Sequence, residues 1–155
     1  MEIRVARPED IPGLTDLLLQ VGEVHHKIRP DLFRSGAQKY DEKALTEILK
    51  DPNRPIFAAV EDGTLLGYCF CVLEITRDNP VLMDQKSLYI DDLCVDENVR
   101  GKHVGARLYD FAVDYARKIG CDSLTLNVWC GNDSAMKFYE SRGLKQRNIH
   151  MEARL

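Results

Sequence analysis

Between an apolar stretch that ends at Val95 and a helical pattern that begins near His103, the chain reads Val95-Asp96-Glu97-Asn98-Val99-Arg100-Gly101-Lys102-His103-Val104-Gly105-Ala106-Arg107-Leu108. A glycine-containing loop that opens a helix presents backbone N–H groups without acceptors at the positive end of the helix dipole, and both favour an anion. Arg100, Lys102 and Arg107 add fixed positive charge. Phosphate would bind here, although these residues alone predict an anion without naming it. A phosphate-binding kinase loop would need Gly-Lys followed by Ser or Thr, and a dinucleotide fold would need a complete GxGxxG; neither pattern is present. Just upstream lie two adjacent carboxylates, Asp91 and Asp92. On a regular strand they point to opposite faces, so at most one faces a ligand directly.

Periodicity gives the elements that must carry these residues. Residues 2–7 alternate as a strand, and Pro8-Glu9-Asp10 opens a helix with Ile11, Leu14, Leu17, Leu18 and Val21 on one face. A loop with His25, His26, Arg29 and Pro30 follows. Asp41 then caps a helix with Ala44, Leu45, Ile48 and Leu49 inward. Strands are predicted at 56–60, 65–75 and 87–95, the first two joined by the turn Glu61-Asp62-Gly63-Thr64. A helix over 103–118 stops at Gly120, a strand at 123–129 precedes a helix over 133–141 closed by Gly143, and a last strand is expected at 148–153. The predicted class is α/β with a mixed α+β sheet: an antiparallel meander, then one right-handed crossover that makes 87–95 and 123–129 parallel neighbours. If that pair splays at its C-terminal ends, a ligand slot opens there.

The 155 residues suit one domain, 1–155, with no repeat or linker. No segment approaches the roughly 20 apolar residues that span a bilayer, so no membrane partner is expected. The N-terminal residues carry no export signal. Five cysteines, an odd number without a paired CxxC framework, suit a reducing cytoplasm and leave no metal site predicted. Cys69 and Cys71 are read as small core residues. A net charge of −4 with scattered acidic residues makes nucleic acid a poor partner and is compatible with cationic amines.

With its arginine, two intervening residues and Val104-Gly105 opening the helix, the 95–108 segment resembles the pyrophosphate loop of the GNAT superfamily of N-acetyltransferases. His103 stands where that family has its first glycine. A second block, Leu126-Asn127-Val128-Trp129-Cys130-Gly131-Asn132-Asp133-Ser134-Ala135-Met136-Lys137-Phe138-Tyr139-Glu140-Ser141-Arg142-Gly143-Leu144, resembles the family's other coenzyme region. Its carriers are Asn132, Ala135, the pair Phe138 and Tyr139, and Gly143. The close resemblance covers roughly residues 88–144.

The resemblance implies a GNAT-like fold and acetyl-CoA as co-substrate. It places the coenzyme on Leu93, Cys94, Val95, Arg100, Gly101, Lys102, His103, Val104, Gly105, Ala106, Asn132, Ala135 and Tyr139. It also implies direct transfer of the acetyl group to a primary amine on a small molecule or peptide. Backbone N–H groups around Leu93, Cys94 and Val95 would hold the oxyanion, and Tyr139 would protonate the leaving sulfur. Asp91 is the favoured base because alternation puts Ser87, Tyr89, Asp91 and Leu93 on one face, which the resemblance turns toward the substrate. Asp92 follows if a bulge reverses the parity, and a third possibility is that water is the base while the aspartates bind the ammonium. Asn127 cannot act as a base. Trp129 is assigned either to the slot or to the core. A homodimer is possible in this family. The rival reading is a non-catalytic acyl-CoA sensor of the same fold.

Overall fold

The structure is a computed structural model describing residues 1–99 and 102–155; Arg100 and Gly101, both expected at the coenzyme, lie outside the described residues. The elements are β1 (Glu2–Val5), α1 (Ile11–Ile28, entered through a 3₁₀ turn at Pro8–Asp10), α2 (Glu42–Ile48), β2 (Ile56–Glu61), β3 (Thr64–Thr76), β4 (Gln85–Val95), α3 (Val104–Lys118), β5 (Ser123–Leu126) and α4 (Asp133–Ser141). The strands form one sheet in the order β1-β2-β3-β4-β5. Its first four members pair antiparallel and β4 pairs β5 in parallel, as the meander and crossover predict.

Each sheet face buries its own core. On one side Phe57, Cys69, Cys71, Leu88 and Ile90 pack under α3 through Val104, Leu108, Ala112 and Ala116, with Phe138 and Tyr139 of α4 at the margin. On the other, Ala58, Tyr68, Phe70 and Cys94 pack under Leu14, Leu17 and Leu18 of α1 and Leu45 and Ile48 of α2. Such burial contributes about 25 cal/mol per Å² of apolar surface, which makes it the main term holding the helices on the sheet. The start of α1 is fixed by Asp10, buried at 7% exposure. It accepts both Arg4 guanidinium nitrogens at 2.7 and 2.9 Å and the Arg7 N–H at 2.7 Å. Asp41 caps α2 by accepting the Ala44 N–H at 2.7 Å.

Four expectations need correction. The apolar steps continue from Val21 through Val24 and Ile28, so α1 runs to Ile28 and His25 and His26 lie in its last turns, not on a loop. β5 stops at Leu126 instead of continuing to 129, because the chain swings off β4 toward α1. There Gly131 adopts φ +97°, a conformation open to glycine, 3.3 Å short of Ile28 Cγ2 for any added Cβ. Residues 148–153 form no strand. Ion pairs from Arg29 to Glu152 (2.6 Å) and from Arg154 to Asp31 hold that segment in place of a backbone ladder. Finally, Asp91 and Asp92 do not point to opposite faces, for a reason that shapes the site.

Candidate active site

β4 and β5 pair only from Ser87↔Ser123 to Ile90↔Leu126. From residue 91 to Val95, β4 therefore keeps β3 on one edge and, among the described residues, has no strand on the other. The Asp96 N–H donates to Leu66 O of β3 at 2.9 Å. Backbone groups alternate along a strand, so the N–H groups of Leu93 and Val95 face the open edge. This is the predicted splay, and no strand among the described residues takes up these two backbone donors.

At the fork the register slips: Phe70 faces Asp92, whereas Cys71 faces Ile90, so Asp91 is an extra residue on β4. A bulge of this kind puts two consecutive side chains on the same side. The surrounding contacts agree, for Leu93 and Val95 pack with the α3 core while Cys94 belongs to the α1–α2 core. Leu93 thus does not share a face with Asp91, and both carboxylates lie on the α1–α2 side. Asp91 Oδ2 receives Lys39 Nζ at 2.7 Å and Tyr40 Oη at 3.3 Å. Asp92 Oδ2 accepts the Tyr68 hydroxyl at 2.8 Å. Burial raises the Asp92 carboxyl above its usual range and Asp91 adds to that, while the Tyr68 hydrogen bond and the electrostatic influence of His25 and Lys39 oppose it. Tyr68, fully buried, is itself pushed well above the ordinary phenol value by burial and then by Asp92, so it remains a donor.

The pyrophosphate candidates lie at the far end of the open edge. His103 precedes α3 with φ 59° and ψ 20°. That left-handed conformation explains why a glycine suits this position, and histidine is among the side chains that tolerate it. The first intrahelical bond here runs from Arg107 N–H to His103 O at 3.1 Å. The N–H groups of Val104, Gly105 and Ala106 consequently have no acceptor within the helix. A Cβ on Gly105 would come to 3.4 Å of Val95 Cγ2 and 3.7 Å of Leu93 Cδ2, so the glycine leaves room beside the residues that supply the open-edge donors. Lys102 is exposed. Arg107 instead turns toward β1 and donates to Met1 O at 3.2 Å.

α4 follows β5 and packs on the α3 side of the sheet, against Tyr109. Asn132 caps the helix, accepting the Ala135 N–H at 3.3 Å and the Ser134 hydroxyl at 3.1 Å. Tyr139 packs against Phe138 and Tyr109, with ring centres 5.1 and 6.2 Å away. No hydrogen bond engages its hydroxyl among the described residues. Burial pushes that hydroxyl above the ordinary phenol value, and the electrostatic influence of Cys69 and Asp92 adds to it.

The remaining wall comes from α1 and the segment after β5. His25 lies over Phe33 and Phe33 meets Trp129 edge-on, each with ring centres 5.1 Å apart. Trp129 is 41% exposed, which settles it outside the core. His26 Nδ1 donates to Phe33 O at 2.7 Å, since a carbonyl can only accept. Asn127 Nδ2 donates to Tyr89 Oη at 3.1 Å. Sequence reasoning missed Tyr68, Lys39 and Tyr40. A register for β3 against β4 would have found Tyr68, but the two loop residues had no local signal. No cluster of three or more His, Cys, Asp or Glu side chains that could hold a metal occurs among the described residues.

The profile of the acetyltransferase (GNAT) family matches residues 22–144. The chain belongs to this family. Its GNAT relatives include an uncharacterized N-acetyltransferase of Bacillus subtilis, YhfO, 30% identical over 149 residues that cover 94% of this chain and 91% of the relative. A crystal structure of a mutant BH1408 protein from Bacillus halodurans superposes with a TM-score of 0.95 at 30% identity, over 100% of this chain and 99% of the other. An aminoglycoside N-acetyltransferase solved with CoA shares the GNAT fold at a TM-score of 0.71 and 17% identity, over 99% of this chain and 100% of its own. The chain is an acyl-CoA-dependent N-acetyltransferase of the GNAT family. No helix among the described residues is long and apolar enough to cross a membrane.

Proposed function

We propose that this acetyltransferase moves the acetyl group directly from acetyl-CoA to a primary amine held at the acidic fork of β4. The observation that carries the reading is the fork itself, where a strand edge whose Leu93 and Val95 N–H groups meet no strand among the described residues lies beside two carboxylates on one face. In this reading the pyrophosphate is held by Arg100, Gly101, Lys102 and His103 and by the N–H groups of Val104, Gly105 and Ala106. The pantetheine arm runs back along Val95, Cys94 and Leu93, pairing with β4 as an added strand would. Asn132 and Ala135 line the other wall.

The acceptor arrives as an ammonium ion and must lose a proton before it can attack. Asp92 takes that role in preference to Asp91. Burial has raised its proton affinity toward the working range of a base, whereas Asp91 is engaged by Lys39. The neutral amine attacks the thioester carbon, the Leu93 N–H meets the developing oxyanion while the Val95 N–H pairs with the pantetheine arm, and the carbon–sulfur bond breaks. Tyr139, kept protonated by burial, gives its proton to the departing thiolate and recovers one from the product nitrogen.

Release of CoA thiol in the presence of acetyl-CoA and a panel of polyamines, amino acids, aminosugars and peptides tests the proposal. Turnover with at least one amine, lowered in Asp92→Asn and Tyr139→Phe, is the expected result. Coenzyme binding with no turnover on any amine would leave a sensor and remove the enzyme mechanism.

A further inference from the structure

A primary amine of the chain itself lies at the acidic fork of β4. Lys39 Nζ lies 2.7 Å from Asp91 Oδ2 and 5.4 Å from the centre of the Tyr40 ring. Tyr40 reaches the same carboxylate and is itself fixed by Arg54 Nη2, which donates to its hydroxyl at 3.0 Å. The segment that carries Lys39 is seated on α1. A Cβ on Gly22 would come to 2.7 Å of Ala37 O, and Glu23 accepts hydrogen bonds from Ser35 Oγ and Gly36 N–H. Lys39 therefore reaches the fork by packing, not by the chance rotamer of a free surface lysine.

As a strut the pair does little. The Lys39 side chain is 47% exposed, and ion pairs in that setting add little to stability. As chemistry it is more telling, because an alkyl ammonium beside Asp91 and Asp92 has the functional group that the reaction consumes. The acyl end of the coenzyme would arrive at the same place. The open edge runs from Val95, next to the start of α3, back to Asp91, four residues or about 13 Å at strand spacing. A coenzyme with its pyrophosphate at α3 and its arm along that edge ends at the fork.

We propose that Lys39 occupies the acceptor's ammonium position, and that the chain acetylates its own Lys39 when acetyl-CoA is present and no free amine competes. This rests on the acetyl-transfer reading given above. The ammonium gives one proton to the Asp92 carboxylate, and the freed Nζ forms a bond to the acetyl carbonyl carbon. The carbon–sulfur bond breaks and its electron pair leaves on sulfur. A second proton from Nζ replaces the one that Tyr139 gives to the thiolate. The products are Nε-acetyl-Lys39, CoA thiol and one released proton.

The test is a time course of the full chain with acetyl-CoA and no acceptor, read by intact mass and by peptide mapping. Lys50, 65% exposed and paired with Glu47 on the surface, reports spontaneous acetylation. Acetylation at Lys39 is expected to outpace Lys50 by at least about tenfold, to slow in Asp92→Asn without change at Lys50, and to slow when a good acceptor is added. A Lys39 rate no greater than that of Lys50, or one indifferent to Asp92→Asn, overturns the proposal. Amine turnover without preference for Lys39 overturns only this inference. Failure to bind acetyl-CoA overturns both it and the proposed function.

Discussion

Asp91 and Asp92, consecutive in the chain, send their carboxylates to the same side of β4, one to Lys39 and the other to Tyr68. A regular strand cannot do this. The one-residue slip between Phe70↔Asp92 and Cys71↔Ile90 makes it possible, and it occurs where β4 loses β5 as a neighbour. The bulge therefore concentrates negative charge at the mouth of the slot and divides it between one paired carboxylate and one whose proton affinity is raised by burial.

Asp92→Asn is expected to lower kcat by about 10²–10⁴, the usual worth of a positioned general base. Asp91→Asn should act mainly on acceptor KM, because Asp91 holds a cation and is not the proton acceptor in this account. Steady-state kinetics on both variants separate the roles, and equal kcat losses would contradict the assignment.

Tyr139→Phe removes one hydroxyl that has no hydrogen-bond partner among the described residues, so little change in melting temperature is expected. Turnover should fall by about 10² or more if the hydroxyl protonates sulfur. An unchanged kcat would make Tyr139 a packing residue beside Tyr109 and Phe138.

Tyr68→Phe deletes the donor that favours the ionised form of Asp92. Its pKa, already raised by burial, should rise further, and the acidic limb of the kcat/KM profile should move to higher pH. Leaving that carboxylate short of a partner also costs about 1–3 kcal/mol. Because the folded state holds the Asp92 proton more tightly than the unfolded chain, stability drawn from this group falls as pH rises between the two values. A pH–rate profile identical to that of the parent would detach Tyr68 from the chemistry.

Asp10 behaves in the opposite sense. Burial alone would raise its carboxyl, but the Arg4 hydrogen bonds and the Arg7 N–H outweigh it and hold the group below its ordinary value. Its contribution is complete above the unfolded value and is lost as pH falls through the depressed folded one. Asp10→Asn should cost about 3 kcal/mol at neutral pH, because it leaves the largely buried Arg4 guanidinium with only the exposed Glu2 carboxylate, 4.0 Å away, as a counter-charge. Denaturant melts of parent and variant should converge on acidification, and parallel curves down to low pH would contradict this account.

The fold was legible wherever period and punctuation agree. The Glu61-Asp62-Gly63-Thr64 turn, the α3 stripe and the α4 cap all follow from local residues. Legibility failed where a tertiary contact decides. The path of residues 127–131 depends on Gly131 meeting Ile28, and residues 148–153 alternate like a strand yet are held by ion pairs. The candidate site divides in the same way. Tyr139, Asn132 and the turn before α3 are marked in the sequence, whereas the parity at Asp91 and Asp92 depends on a register slip that no single segment encodes. Lys39 and Tyr40 reach the fork across a sequence separation of about fifty residues, beyond any local pattern.

The central claim, that the open edge of β4 and the start of α3 together hold acetyl-CoA, is tested most directly by the melting temperature with acetyl-CoA, desulfo-CoA or adenosine. At about 100 times its dissociation constant a ligand adds roughly 2.7 kcal/mol of apparent stability, enough to raise the transition clearly. The account predicts a rise with both coenzyme forms and none with adenosine, which lacks the pyrophosphate and the pantetheine arm. No rise at millimolar acetyl-CoA, or an equal rise with adenosine, would contradict it.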